Sequence, residues 1–175
     1  MARYDIKVRT QIPPEFSVKY LVALGTVASI DAGVPTVSVL ASGTATGVVK
    51  LAQDGAGVIS ATAANDARFT GIAKSDSTEV AATAGEVYAW MPLPGVVYSA
   101  KVKTASGADT QAEVDALVSK QVVFDLTSTV WTVDAGATDA AANALVIVGG
   151  DYQTASVFFV IKNQWTVYGS VTTTT

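Results

Sequence analysis

Short β-rich runs recur along this chain at roughly the 8–12-residue spacing that marks sandwiches and barrels, each closed by glycine, proline, asparagine or aspartate. Candidate strands are Phe16–Leu24, Thr36–Leu40, Gly47–Ala52, Val58–Thr62, Arg68–Ala73, Gly85–Met91 and Val96–Lys103. Asp31-Ala-Gly-Val-Pro35, Asp54-Gly-Ala-Gly57, Ala64-Asn-Asp-Ala67 and Pro92-Leu-Pro-Gly95 separate them. Turns this frequent leave no room for the crossover helices of a parallel sheet. Asp54-Gly-Ala-Gly57 reads as a hairpin turn between Val48–Leu51 and Val58–Ser60. The expected class is mainly β: a sandwich or small barrel with limited interior, one short helix, and further strands toward the C-terminus.

The helix is the exception to this pattern. In Asp109–Ser119, Thr110 is placed to cap and Glu113 stands at the capping-box position, while Val114, Leu117 and Val118 make an apolar stripe. Strand text resumes at Gln121–Leu126, Val130–Val133, Leu145–Val148, Ser156–Lys162 and Gln164–Tyr168, with a loop or a single weak helical turn over Asp134–Asn143. The expected organisation is an N-terminal arm over 1–15, a barrel body over 16–108, a helix and C-terminal β subdomain over 109–170, and a frayed tail over 171–175.

The arm has its own signature. Arg3–Arg9 alternates, with Tyr4, Ile6 and Val8 on one face and charges on the other, as in an edge strand. Pro13-Pro14 then acts as a hinge or extended spacer. Arg3, Lys7, Arg9 and Lys19 outnumber Asp5 and Glu15 in the first twenty residues, although the whole chain carries −4. A basic arm on an acidic body suits an interaction tail. The acidic total argues against general nucleic-acid binding, which needs a basic face.

With 0 histidines and 0 cysteines, no Ser-His-Asp or Cys-His nucleophile, imidazole or thiolate zinc site, haem ligation through His or Cys, or iron–sulfur ligation can be assembled. Carboxylate, lysine or hydroxyl chemistry survives, but its patterns are weak. Gly43-Thr-Ala-Thr-Gly47 lacks the Gly-Lys-Ser/Thr ending of a phosphate loop. Asp54, Asp66, Asp76, Asp134, Asp139 and Asp151 recur at turns, where aspartate caps its own backbone. Ser99 and Lys101 share a strand face without forming a motif. The expectation is a non-enzyme with no metal, no cofactor and no disulfide. No apolar run is long enough to span a bilayer as a helix, and the expected chain is soluble and not exported. Tyr88 and Trp90 project from one side of their strand, opposite Val87, Ala89 and Met91. Tyr88, Trp90, Met91 and Trp131 are candidates for an oligomer interface.

The succession Gly47-Val-Val-Lys-Leu-Ala, Asp54-Gly, Ala61-Thr-Ala-Ala, Arg68-Phe-Thr-Gly-Ile-Ala-Lys-Ser-Asp76 and Gly85-Glu-Val-Tyr-Ala-Trp90 resembles the head decoration, or cement, proteins of tailed bacteriophages. The likeness spans residues 43–103. It implies a small β-barrel, β-tulip-like in its body, that sits as a homotrimer on the exterior of an expanded capsid, made in the host cytoplasm and carried on the virion. The partners implied are the major capsid protein and further copies of the chain, with no nucleic acid and no membrane. On this reading Arg3, Tyr4, Ile6, Lys7, Val8 and Arg9 of the arm contact the shell. The alternative is a virion fibre or adhesin module that stacks cell-surface sugar on exposed tryptophans, Trp90, Trp131 or Trp165.

Overall fold

Residues 6–9, 17–21, 30–39, 57–60, 69–77, 85–127 and 130–166 are described by the structure, a computed structural model. Their strands are β1 (Lys7–Val8), β2 (Ser17–Leu21), β3 (Pro35–Val39), β4 (Gly57–Ser60), β5 (Phe69–Ala73), β6 (Glu86–Trp90), β7 (Tyr98–Lys101), β8 (Gln121–Thr127), β9 (Val130–Asp134), β10 (Leu145–Asp151) and β11 (Ser156–Ile161). The one α-helix among them, α1, is Gln111–Leu117. The fold is mainly β, as the turn spacing implies.

The chain divides into two units, and the division is not the expected one. One unit takes Met1–Ile12, Thr62–Asn65 and Pro94–Lys162; the other takes Pro13–Ala61, Asp66–Leu93 and Asn163–Thr175. The border falls in the Pro92-Leu-Pro-Gly95 turn rather than after residue 108. The cause is strand pairing: β7 ladders antiparallel with β11, from Lys101 opposite Ser156 to Tyr98 opposite Phe159. The arm also joins the first unit, because β1 pairs antiparallel with β7, Lys7 opposite Ser99 and Val8 opposite Tyr98.

In the first unit the strand order is β1-β7-β11-β10-β8-β9. The sheet rolls until its far strand returns: Val133 of β9 bridges in parallel to Val102, beyond β7, and Lys103 N donates to Val133 O at 2.8 Å. One bridge is not a ladder, so among the described residues the roll does not close into a barrel. Its core is a chain of rings. Tyr98 stacks on Phe159 at 5.8 Å between centroids, Phe159 meets Phe124 edge-on at 5.5 Å, and Phe124 meets Trp131 edge-on at 5.9 Å. Offset and edge-on contacts of this kind suit the ring quadrupole. Burial pushes the Tyr98 phenol above its ordinary pKa range.

The helix forms where its caps predict, trimmed at both ends. Thr110 Oγ1 accepts from Glu113 N at 3.3 Å, and Glu113 Oε2 accepts from Thr110 N at 3.1 Å. Val114 and Leu117 are the buried stripe, while Val118 lies outside the helix and is exposed. Gly150 lets the helix approach β10: a Cβ there would stand 2.7 Å from Ser156 O and 3.0 Å from Val114 Cγ1.

The second unit holds the sheet β2-β6-β5-β3-β4. All five residues of β5 are buried, and Ile30, Val34, Phe69, Ile72, Val87 and Ala89 form the core. A shift of register opposite Thr36 and Val37 leaves Thr70 as the extra residue of a β-bulge. Its hydroxyl lies 2.7 Å from that of Thr36, and both residues are fully buried. Of the expected Gln164–Tyr168 strand, residues 164–166 take another form, and residues 167 and 168 lie outside the described residues. Asn163–Trp165 is a 3-10 turn, and Thr166 makes an isolated parallel bridge to Phe69. The Gly47–Ala52 run and the hairpin turn at residues 54–56 lie outside the described residues.

Candidate functional site

Among the described residues β1 is the outermost strand of its sheet, and its neighbour β7 forms the seat that holds it. Ile6 is buried at 4% exposure, whereas Lys7 and Arg9 are exposed, which is the expected alternation for these three residues. Arg9 N donates to Val97 O at 2.7 Å. Its side chain then crosses the sheet: Nε donates to Ser99 Oγ at 3.1 Å, and the guanidinium stands 5.1 Å from the Phe158 ring centroid. Because Arg9 N faces β7, the alternation of an antiparallel ladder turns the Val8 N–H the other way, outward from the sheet edge. Arg3 and Tyr4 lie outside the described residues.

A second surface lies on β6 and its neighbours. Tyr88 is 46% exposed and Trp90 half-buried, with Val87 and Ala89 buried on the opposite face, as expected. Lys74 Nζ stands 4.6 Å from the Trp90 ring centroid. Lys19 Nζ meets Glu86 Oε1 at 2.9 Å, and the hydrogen bond and charge of Glu86 raise the lysine pKa. Met91 is half-buried beside them. Trp131 is different. At 2% exposure, packed on Phe124, it belongs to the core of its own chain and does not serve as an interface residue.

A small open cavity of about 190 Å³ is lined by Lys103, Thr104, Ser106, Gly107, Asp134, Ala135 and Gly136. Lys103 Nζ lies 2.8 Å from Asp125 Oδ1 and 3.4 Å from Asp134 Oδ2. The Asp125 hydrogen bond, with the charges of both carboxylates, raises the Lys103 pKa. Burial is the largest influence on Asp125 and works against its charged form. The hydrogen bonds from Lys103 and Thr127 together outweigh it and hold the carboxyl below its ordinary range. The cluster is internally neutralised down to one negative charge, which suits a structural clamp.

Of the turn aspartates, Asp134 and Asp151 cap their own backbone, Oδ1 accepting from Gly136 N and from Gln153 N at 3.0 Å each. Asp76 and Asp139 instead hold distant main chain, Oδ1 accepting from Ala32 N at 2.8 Å and from Gln121 N at 3.0 Å, and Asp54 and Asp66 lie outside the described residues. Among the described residues no three acidic side chains are grouped to hold a metal ion, and no helix is long and apolar enough to cross a membrane. Ser99 is buried under Arg9, while Lys101 Nζ donates to Thr154 O at 2.8 Å, so the two form no dyad. Ser99, Val97 and Phe158 are the seat that sequence reasoning missed, because their partner in the arm lies about 90 positions from the first two and about 150 from the third, with no local signal.

Comparison of the chain with protein-family models, with curated proteins and with solved structures finds no match.

Proposed function

We propose that this chain is a structural virion protein without catalytic activity, which binds the outside of an assembled phage capsid as an oligomer, a trimer by resemblance, and clamps neighbouring major capsid subunits. The observation that carries this reading is the outer edge of β1. It ends its sheet, exposes Lys7 and Arg9, and turns the Val8 N–H outward. A segment of a shell subunit can add there as a further strand, main-chain hydrogen bonds supplying affinity and the Lys7 ammonium supplying register. Such a protein works by burying surface, which needs neither a proton shuttle nor a thiol.

The test is a shell-binding assay with Val8→Pro. Proline removes the outward donor, and edge strands tolerate it. Undecorated shells are expected to take up wild-type protein and to lose most of that uptake with the variant. Equal occupancy by a folded variant would contradict the reading. Deleting residues 2–12 is the poorer test, because it also strips buried Ile6 from the first unit.

The exposure of Tyr88 beside Trp90 favours one second reading, an adhesin module stacking a sugar ring on β6. Glycan-array binding that is lost in Tyr88→Ala, by a protein with no affinity for shells, would replace the first reading with this one.

A further inference from the structure

β10 and β11 are apolar at consecutive positions, Leu145-Val-Ile-Val148 and Val157-Phe-Phe-Val-Ile161, without the alternation of a strand that shows one face to water. Leu145, Ile147, Val157, Phe159 and Ile161 take the inner face and are buried. The other set turns outward. Val146 lies directly opposite Val160, and Phe158 lies opposite Gly149, beside the bulge residue Val148. Opposite residues share a face of a sheet, so these four side chains form one contiguous apolar strip. Its cover is incomplete: Val148 is 46% exposed and the other three are half-buried.

The same face carries cations. Lys7 lies opposite Ser99, which lies opposite Phe158, and Lys101 lies opposite Ser156. Arg9 stands over the Phe158 ring. Among the described residues none of these three meets a carboxylate, the ion pairs there being those of Lys19 and Lys103. Asp151, opposite Ser156, is taken up by its own turn, accepting from Gln153 N and Thr154 Oγ1. At the far end Lys162 and Asp139 bind the same Gln121 side chain and offset each other. The β7 side of the strip is therefore net positive on a chain whose total is −4. We propose that this strip is a docking surface for an acidic polypeptide segment, which lays an apolar side chain on Val148 and Phe158 and sets carboxylates against Lys101 and Lys7.

Charge complementarity selects that occupant. Carboxylates supply what the three cations lack, and an apolar side chain supplies the cover that β10 and β11 lack. Two of the cations are held in place: Lys101 Nζ donates to Thr154 O at 2.8 Å, and Arg9 rests on Ser99 and Phe158. Fixed, separated charges suit carboxylates spaced along a peptide better than the dense charge of a nucleic acid or a lipid surface. The acidic total repels both of those at long range. The surface is the face of the sheet and not the β1 edge, so the inference goes beyond the proposed function and does not rest on it.

The test pans a displayed library of random short peptides against the purified protein and against Lys101→Glu/Val148→Ser, which changes two exposed positions. Peptides selected by the wild type are expected to carry net negative charge and an aromatic or aliphatic residue. Synthetic copies should bind the double variant at least about tenfold more weakly and should lose affinity as salt is added. If the double variant fails to fold, Val148→Thr, close in shape to valine, reads the apolar half alone. Neutral or basic selected peptides, equal binding to both proteins, or selection of nothing would overturn the inference. Phosphatidylserine vesicles bound in place of any peptide would overturn it in favour of a lipid surface. Acidic peptides lost in Val8→Pro but kept by the double variant belong to the β1 edge; they would overturn this surface and leave the proposed function standing.

Discussion

Arg9 lays its guanidinium 5.1 Å from the centroid of the Phe158 ring, two strands away across β7. With the Nε bond to Ser99, this one side chain ties the edge strand to the body of its sheet. Arg9→Ala should weaken the seating of β1 by about 1–2 kcal/mol, the sum of one cation–π contact and one hydrogen bond. Amide exchange at Lys7 and Arg9 should speed up while β10 and β11 stay protected. Unchanged exchange at those two amides would show that Ile6 and the ladder suffice without the arginine.

Gly71 faces the main-chain carbonyl of Trp90 so closely that a Cβ would collide with it, and its φ is +152°. Gly71→Ala should cost about 3 kcal/mol or more, combining backbone strain with a clash against an atom that cannot move aside. Gly107→Ala is the control: nothing lies within 4 Å of its Cβ position, and the change should stay within about 0.5 kcal/mol. Denaturant midpoints for the two variants that coincide would refute this.

Thr36 Oγ1 donates to Gly71 O at 3.1 Å, which spends its only proton and leaves Thr70 as the donor in their 2.7 Å contact. The two hydroxyls are therefore not equivalent. Thr36→Val strands the Thr70 donor and should cost about 1–3 kcal/mol, while Thr70→Val leaves Thr36 its carbonyl and should cost about 1 kcal/mol. The double variant should cost little more than Thr36→Val. Equal single costs that add in the double would reassign the proton.

The Lys103 clamp sets two pH limits on the first unit. Asp125 titrates below its unfolded value near 3.9, so its contribution is full above that pH and is lost as pH falls through the depressed folded pKa. Lys103 titrates above its unfolded value, so its contribution is full below about pH 10.4 and is lost as pH rises through the raised one. Lys103→Met should flatten both limbs of stability against pH and leave the neutral plateau level. Limbs as steep as in the wild type would place the titration elsewhere.

Local features were legible in the sequence, and distant pairings were not. Thr110 and Glu113 announced α1 because a capping box is written within four residues. Alternation placed Val87 and Ala89 inward and Tyr88 outward, since period two needs no partner to be read. The unit border was misplaced because β7 takes β11 and β1 as partners, both remote in sequence. For the same reason the sequence leaves Trp131 open between core packing and an oligomer interface. Its burial depends on Phe124 across the β8–β9 hairpin and on the ring chain behind it. Arg9 looked like one more basic arm residue, and nothing near it foretold Phe158.

The most direct test of the account is an image of decorated shells at side-chain resolution. The account predicts a strand of the major capsid protein laid along the outer edge of β1, its carbonyl accepting from Val8 N–H and an acidic side chain beside Lys7. Decorated particles on which that edge meets no shell segment would contradict it.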